Sequence, residues 1–367
     1  MAVIAIDGRK YFDFGIGTYI QQLVKTLSGL RSAHRFILYS SPSDVSSITL
    51  PRRWEIAEAN YSKYSISEIG SFGLRIRRDK VDVFHEPHYT LPIGVKNISV
   101  VTIHDIIHLR FPGSFGRLQR SYSREMVRHS LRSSRFVITD SEFTKIDILS
   151  TFRVAEDKIN VIHLGVGEQF KKLKPGRTIT EFRQRFGLKR PFVLYVGNVK
   201  KHKGIDTLLE ALKRIPAKRD LELVLVGGSI SQDPVLQSMA MALGIGDRIR
   251  ELGRLNDNDL VTAYNAAEVL VMPSRYEGFG LPALEAMACG TPVLVSDAAS
   301  LPEVVGDAAL IFGVGHSAEC ADGLLRVLNE SSLRRTLIRK GAERAKKFPW
   351  SQTAARTLEL YEKILYR

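Results

Sequence analysis

Cysteine is scarce in this 367-residue chain, which contains only Cys289 and Cys320. Two cysteines cannot build a disulfide framework, so we expect a reducing, cytoplasmic environment. No apolar run approaches the roughly 18 residues that a membrane-spanning helix needs. The N-terminus lacks a basic stretch followed by a long apolar one, so no signal peptide is predicted. Low-complexity segments and short-period repeats are also missing, which excludes solenoids and disordered arms.

Positive charge is abundant: 53 lysines and arginines face 39 acids, for a net charge of +14. Basic proteins attract nucleic acid, anionic lipid or phosphorylated substrates, and charge alone does not choose among them. The composition, 44% hydrophobic and 25% charged, is that of a soluble globular protein. The length predicts two domains of roughly 150 to 200 residues each.

Short apolar runs alternate with longer amphipathic stretches along the chain. We expect strands near 2–6, 36–39, 81–84, 98–103, 136–139, 159–162, 192–196, 221–226, 269–272 and 292–296. We expect helices near 17–29, 116–134, 142–151, 204–215, 234–243, 257–267, 282–289 and 330–347. This alternation predicts an α/β fold with two Rossmann-like, doubly wound parallel sheets in series, joined within 165–180. Such sheets bind ligands beyond the carboxyl ends of their strands.

The segment PSRYEGFGLPALEAMACGTPV, residues 273–293, combines glycines with two acids, Glu277 and Glu285. Pro282 is a good first helical residue and Gly290 a good stop. The glycines let backbone N–H groups approach a ligand, and the helix N-terminus favours an anion. Because carboxylates repel phosphate, the two glutamates are expected to accept hydrogen bonds from hydroxyl groups beside it. A nucleotide sugar, with a diphosphate between two polyols, fits this pattern.

Other interpretations of the two glutamates remain open. They could be ordinary surface acids, or they could be the paired carboxylates of a glycoside hydrolase. Hydrolysis requires the pair to face the scissile bond about 5 to 10 Å apart. Because the two acids flank a loop of the kind that binds phosphate, the binding of a donor substrate explains them better than hydrolysis does.

These residues resemble the retaining glycosyltransferases of family 4, also called group 1, whose GT-B fold has two facing Rossmann-like domains and a C-terminal crossover helix. The resemblance is centred on the Glu-x7-Glu motif and covers nearly the whole chain. Further matching stretches are FGIGTYIQQLVKTL, VTIHDIIHL, VIHLGVGEQF, YVGNVKKHKGIDTLLEAL, ASLPEVVGDAALIF and FPWSQTA. The resemblance implies an acceptor-side domain over 1–168, completed by a helix at 349–367. It implies a nucleotide-sugar-binding domain over 169–348.

The resemblance also implies site residues. The catalytic residues would be His104, Lys203 and Glu277. The donor-binding residues would be Gly15, Gly17, Asn198, Lys203, Glu277, Gly278, Phe279, Gly280, Leu281 and Glu285. Within this set, Glu285 would bind the ribose hydroxyls, Glu277 and His104 the donor sugar, and Lys203 the diphosphate.

One position departs from the commonest family pattern, which has Gly-Arg before the lysine. Here Gly197 is followed by Asn198. An amide can donate to phosphate but carries no charge, so stabilisation of the leaving group would depend more on Lys203.

Four histidines, His85, His88, His104 and His108, lie within a short span. The sequence HEPH is not the helical His-Glu-x-x-His of metalloproteases, because it contains a proline and follows a predicted strand. We therefore favour a sugar-contacting His104 over a metal ligand. His85 and His88 could line the acceptor side or be loop residues.

The resulting hypothesis is a metal-independent retaining transferase. It would move a hexose, first of all mannose, from a GDP- or UDP-linked donor to a glycan or lipid-linked acceptor in polysaccharide biosynthesis, without a cofactor. The alternatives are a catalytically inactive sugar-nucleotide-binding protein and a nucleic-acid-binding protein. Nucleic acid would explain the charge but not the loop, so we expect no nucleic-acid partner.

The basic residues suggest a location. Arg120, Arg124, Arg128 and Arg132 recur every four residues on a predicted helix and form one stripe. Leu118, Tyr122, Met126 and Leu131 could seat another side of that helix on the core. We expect a cytoplasmic protein whose stripe contacts the anionic inner face of the cell membrane. Arginines that are paired with acids or simply solvated are the alternative.

Overall fold

The computed structural model describes residues 1–51, 54–61 and 66–366. The chain divides into two compact units, Met1–Gly165 with Trp350–Arg367, and Val166–Pro349. The family resemblance implies a division after residue 168. Arg367, the last residue of the predicted C-terminal helix, lies outside the described part.

Each unit contains a parallel sheet. The strands of the first are β1 (Val3–Asp7), β2 (Arg35–Ser40), β3 (Trp54–Glu58), β4 (Val83–Glu86), β5 (Ser99–Thr102), β6 (Phe136–Thr139) and β7 (Ile159–Val161). Those of the second are β8 (Phe192–Gly197), β9 (Glu222–Gly227), β10 (Ile249–Gly253), β11 (Val269–Met272), β12 (Val293–Ser296) and β13 (Leu310–Phe312). The spatial orders are β3-β2-β1-β4-β5-β6-β7 and β10-β9-β8-β11-β12-β13. Both sheets are doubly wound, as the sequence predicts.

Helices connect the strands. In the first unit they are α1 (Ile16–Gly29), α2 (Pro42–Val45), α3 (Ile66–Arg78), α4 (Ile107–Arg110), α5 (Arg117–Ser133), α6 (Glu142–Thr151) and α15 (Trp350–Leu365). In the second they are α7 (Arg177–Arg185), α8 (Ile205–Arg214), α9 (Pro234–Ala242), α10 (Asp257–Ala266), α11 (Leu281–Ala288), α12 (Leu301–Val305), α13 (Ser317–Asn329) and α14 (Ser331–Ala345). Among the helices in the described ranges, none is both long and apolar enough to cross a bilayer.

The central strands are apolar on both faces because helices cover both sides of each sheet. All four residues of β11 and of β12 are buried, for example. The C-terminal helix α15 completes the first unit, where Tyr361 Oη lies 2.5 Å from His85 Nδ1 on β4. His85 is completely buried and is a core residue.

The strand order reverses between β1 and β4 in the first sheet and between β8 and β11 in the second. Doubly wound sheets bind ligands at the carboxyl ends of strands beside such a reversal. Lys203 follows β8 and Glu277 follows β11, while His104 follows β5 in the other unit. The fold therefore places all three candidate residues at carboxyl ends of strands: Lys203 and Glu277 beside the reversal in the second sheet, and His104 one strand beyond the reversal in the first.

Candidate active site

The loop from Pro273 to Gly280 joins β11 to α11 and is called here the β11–α11 loop. Its last residue, Gly280, has a φ of 111°. A Cβ atom there would lie 2.8 Å from Leu301 Cδ2, so a larger residue would be both strained and crowded. The ring of Phe279 is buried and lies 5.9 Å from the ring of Phe348. Phe279 thus anchors the loop with its side chain.

Glu277 is held from two directions. Lys203 Nζ donates to Glu277 Oε1 at 2.7 Å and to Oε2 at 2.8 Å. The buried Ser274 hydroxyl donates to Oε1 at 2.7 Å. The side chains of Lys203 and Glu277 are only 17% and 13% exposed. The structure therefore brings two predicted catalytic residues into direct contact, and Ser274 fixes the carboxylate.

The segment with Lys203 lies against the β11–α11 loop at a glycine. A Cβ atom on Gly204 would lie 2.0 Å from the carbonyl oxygen of Pro273, and the φ of Gly204 is 66°. Arg275 adds to the contact, because its backbone N–H donates to His202 O at 2.7 Å and its guanidinium to Asp206 at 2.6 Å. The segments that follow β8 and β11 are thereby fixed as one local structure.

Asn198 supports its own turn. Its side-chain oxygen accepts a hydrogen bond from Lys200 N at 3.2 Å, and its backbone oxygen accepts one from Tyr195 Oη. The preceding Gly197 has a φ of 148°, a backbone conformation that favours glycine.

Glu285 lies on α11, which starts at Leu281, and its carboxyl group is buried. Tyr264 Oη on α10 donates to Glu285 Oε2 at 2.6 Å. Burial raises the pKa of Glu285 to about 7, although the Tyr264 hydrogen bond acts in the opposite direction. Glu285 can therefore change its charge near neutral pH.

His104 is held by an acid in the first unit. Its Nδ1 lies 2.6 Å from Asp140 Oδ2 and its ring 5.0 Å from the ring of Tyr19. Among the described residues its buried Nε2 has no hydrogen-bond partner of good distance and angle, although the backbone of Pro87 lies close enough to raise the pKa of the ring. Burial lowers the pKa of His104, but the Asp140 carboxylate outweighs burial and holds the pKa above its ordinary value. The ring is thus oriented and biased towards the imidazolium form.

The glycines at the start of α1 differ in their surroundings. Gly15 has a φ of 65°, with no atom within 4 Å of a Cβ placed there. A Cβ on Gly17 would lie 2.4 Å from the carbonyl oxygen of Tyr11. Gly15 therefore permits a turn, whereas Gly17 permits close backbone packing.

The arginine stripe lies on α5 but is not uniform. Arg124 and Arg132 are exposed, whereas Arg128 pairs with Glu125. Arg120 is partly buried, with its Nε lacking a hydrogen-bond partner among the described residues. Met126 and Leu131 face the core as expected. The expectation for Leu118 is wrong: its side chain is 89% exposed, because it lies in the first turn of α5, where the helix has not yet reached the core.

The sequence does not indicate Asp140, Ser274 or Tyr264 as site residues. Asp140 directly follows β6, so its position at a carboxyl end was an available signal. Ser274 and Tyr264 carry no comparable signal. Within the described ranges, His, Cys, Asp and Glu side chains form no group of three that could hold a metal ion.

Two family models match the chain. The model described as "Glycosyltransferase Family 4" matches residues 15–170. The model described as "Glycosyl transferases group 1" matches residues 177–344.

The chain is also similar in sequence to individual proteins. The O-antigen chain mannosyltransferase B of Escherichia coli is 28% identical over 377 residues, covering 98% of this chain and 99% of the relative. The MMP alpha-(1->4)-mannosyltransferase of Mycolicibacterium hassiacum is 34% identical over 256 residues, covering 66% of this chain and 57% of the relative. Among solved structures, the sucrose-phosphate synthase of Thermosynechococcus elongatus has a TM-score of 0.81 at 22% identity, with 100% of both chains covered. At that identity the likeness shows the fold alone.

Proposed function

Because the chain belongs to the group 1 glycosyltransferases of family 4 and has their GT-B fold, we propose that it transfers a mannosyl residue from a nucleotide-diphosphate donor. The transfer proceeds with retention of configuration and needs no metal ion. The acceptor is a glycan or a lipid-linked glycan. Glycosyl transfer itself follows from the family, whereas the sugar, donor, stereochemistry and acceptor are the proposed part.

The observation that carries the proposal is the contact of Lys203 with Glu277 beside the start of α11. A cation, the backbone amides of the β11–α11 loop and a helix N-terminus together favour a diphosphate. Glu277 and Glu285, on either side of the loop, supply acceptors for hydroxyl groups. This set fits a ligand with a diphosphate between two polyols.

In the proposed mechanism, Glu285 holds the ribose and Glu277 a hydroxyl of the donor sugar. Charge grows on the diphosphate as its bond to the sugar breaks, and Lys203 with the loop amides of Gly278 and Gly280 stabilises that charge. His104 contacts the donor sugar through Nε2, the ring nitrogen that Asp140 does not use. The departing phosphate helps to take the proton of the acceptor.

GDP-mannose is the first donor to test, and UDP-linked sugars are second. The names of the two relatives, both mannosyltransferases, support mannose. The name of the first, which refers to O-antigen chains, supports a polysaccharide acceptor.

We also propose a cytoplasmic protein that contacts an anionic membrane through α5. The exposed arginines Arg124 and Arg132 and the exposed Leu118 support this proposal. A basic face with an exposed apolar side chain is typical of reversible binding at a lipid surface.

A panel of GDP- and UDP-linked sugars, assayed for transfer and slow donor hydrolysis, tests the function. We expect turnover with GDP-mannose, an α-linked product by NMR, and an unchanged rate with EDTA. Glu285→Ala should weaken binding of free GDP, whereas Glu277→Ala should leave GDP affinity nearly intact and reduce turnover. Donor binding without turnover would instead indicate an inactive binding protein, and a β-linked product would contradict retention.

A further inference from the structure

Ser300 immediately precedes α12 but does not cap it. A serine at this position usually accepts a hydrogen bond from an N–H of the first helical turn. The side chain of Ser300 makes no such bond. Its hydroxyl instead lies 2.9 Å from the carbonyl oxygen of Glu277 and 2.8 Å from that of Phe279. Ser300 is fully buried, so its hydroxyl serves the β11–α11 loop rather than solvent or its own helix.

Two carbonyl oxygens that converge on one point repel each other unless a donor lies between them. The Ser300 hydroxyl has one proton, which the two oxygens share or which alternates between them, and burial makes its loss costly because water cannot replace it. In a planar trans peptide, the N–H points opposite to the C=O. By holding the oxygens of Glu277 and Phe279, Ser300 therefore directs the N–H groups of Gly278 and Gly280 away from itself.

We propose that Ser300 is a positioning residue that aims the backbone amides of Gly278 and Gly280 at the diphosphate of the donor. This inference rests on the proposed function, in which those amides stabilise the diphosphate. Ser300 acts through the loop and touches no reacting atom.

The residues on either side of Ser300 support its role in positioning the β11–α11 loop. Ala299 has a φ of 53°, a conformation that costs a non-glycine residue free energy and that concentrates at functional sites. Leu301, on the other side, closely approaches Gly280. Ser300 and Leu301 thus both lie against the β11–α11 loop.

Titration calorimetry with GDP, UDP, guanosine and uridine tests the role of Ser300. Because Ser300 acts on amides that face phosphate, Ser300→Ala should weaken binding of the diphosphate by about tenfold, the effect of roughly one hydrogen bond. Binding of the matching nucleoside should not change. Should Ser300→Ala fail to fold, Ser300→Cys retains a weak donor and should show a smaller loss with the same selectivity for the diphosphate.

Ser130→Ala is the matched control. The Ser130 hydroxyl is also fully buried and donates to a distant carbonyl oxygen, that of Tyr89 at 2.7 Å, but in the other unit. It should lower the thermal midpoint without changing GDP or UDP affinity. Unchanged diphosphate affinity in Ser300→Ala, or an equal loss for nucleoside and diphosphate, overturns the role of Ser300 alone. A wild-type protein that binds neither diphosphate overturns the proposed function as well.

Discussion

Lys203 Nζ lies within 2.8 Å of both carboxylate oxygens of Glu277, although 74 residues separate the two in sequence. The pair neutralises two charges that are largely removed from water. A diphosphate that approaches Lys203 must share this cation with Glu277. In the proposed mechanism, the ion pair would therefore couple the contact of Glu277 with the donor sugar to the stabilisation of the leaving diphosphate by Lys203.

A double-mutant cycle measures this link. Lys203→Met and Glu277→Gln should each destabilise the protein by about 1 to 2 kcal/mol, because each leaves one poorly solvated charge unpaired. The double variant should lose less than the sum, since no unpaired charge remains. Urea unfolding of the four proteins gives the coupling. The exposed pair Arg177 with Glu181 is the control and should show almost no coupling free energy. If the losses of stability at Lys203 and Glu277 are additive, the two residues are not energetically coupled.

At Gly204, the effect of its close contact with Pro273 O can be measured separately from the effect of its left-handed backbone conformation. Gly204 and Gly187 have φ angles of 66° and 64°, but only Gly204 has an atom, Pro273 O, within reach of a Cβ. Gly187→Ala should cost about 1 kcal/mol for the left-handed conformation alone. Gly204→Ala should cost more and should also reduce turnover, because Lys203 must shift. Equal losses of stability and full activity in both variants would show that the contact is not needed.

The sequence predicts the strands that are continuous apolar runs, such as β8 (FVLYV) and β11 (VLVM). It does not predict β3 (WEIAE), β10 (IRELG) or β13 (LIF). These three lie at sheet edges, where one side faces solvent and the apolar pattern is broken or short. The edge strand β7 is nevertheless predicted, because Ile159, Val161 and Ile162 form a short run rich in Val and Ile, so this composition rather than the position in the sheet is the signal.

The candidate site divides in a similar way. Glu277, Glu285 and the loop glycines lie within nine residues, so a local motif reveals them. Their partners Lys203 and Tyr264 are 74 and 21 residues away. The first contact follows from the pairing of β8 with β11 and the second from the packing of α10 on α11, and no local spacing encodes either.

Glu285 should make both stability and binding depend on pH. Its pKa is about 7 in the folded protein and near the ordinary 4.5 when unfolded, so the folded state holds more protons between these values. Stability should therefore fall as the pH rises from about 4.5 through 7. Glu285→Gln should remove this fall. The thermal midpoint of the variant, measured relative to that of the wild type, should therefore be higher at pH 8 than at pH 5. An identical pH dependence in wild type and Glu285→Gln would contradict the shifted pKa.

The same carboxyl group should control ribose binding. Only the ionised form accepts two hydroxyl donors, so guanosine affinity should rise as the pH increases through about 7. Guanosine is the suitable probe because it has no phosphate that titrates in this range. Glu285→Gln should bind guanosine weakly and independently of pH.

Asp140 should set the pKa of His104. Asp140→Asn removes the carboxylate and leaves burial as the main effect, so the pKa of His104 should fall below its ordinary 6.5. Less imidazolium would then remain at neutral pH, and the alkaline limb of the kcat profile should move to lower pH. Histidine NMR titration measures the pKa directly, with the exposed His316 as an internal reference. An unchanged His104 pKa in Asp140→Asn would contradict the role of this pair.

Vesicle co-sedimentation tests the membrane contact of α5. The wild-type protein should pellet with phosphatidylglycerol vesicles at low salt, less with added salt, and not with phosphatidylcholine alone. Each exposed arginine near the surface contributes about 1 kcal/mol, so Arg124→Ser with Arg132→Ser should release most of the protein. Leu118→Ser should weaken binding without removing its salt dependence, because it removes apolar rather than electrostatic attraction.

A control separates a docking face from general attraction by a basic protein. Arg335 and Arg339 are exposed, four residues apart on α14 in the other unit. Arg335→Ser with Arg339→Ser removes the same charge as the α5 variant, so a non-specific attraction would weaken equally in both. We expect only the α5 variant to lose binding. An equal loss of vesicle binding in both double variants would show that the attraction comes from the overall positive charge and not from α5. If the wild-type protein does not pellet with anionic vesicles at low salt, the proposed membrane contact is wrong.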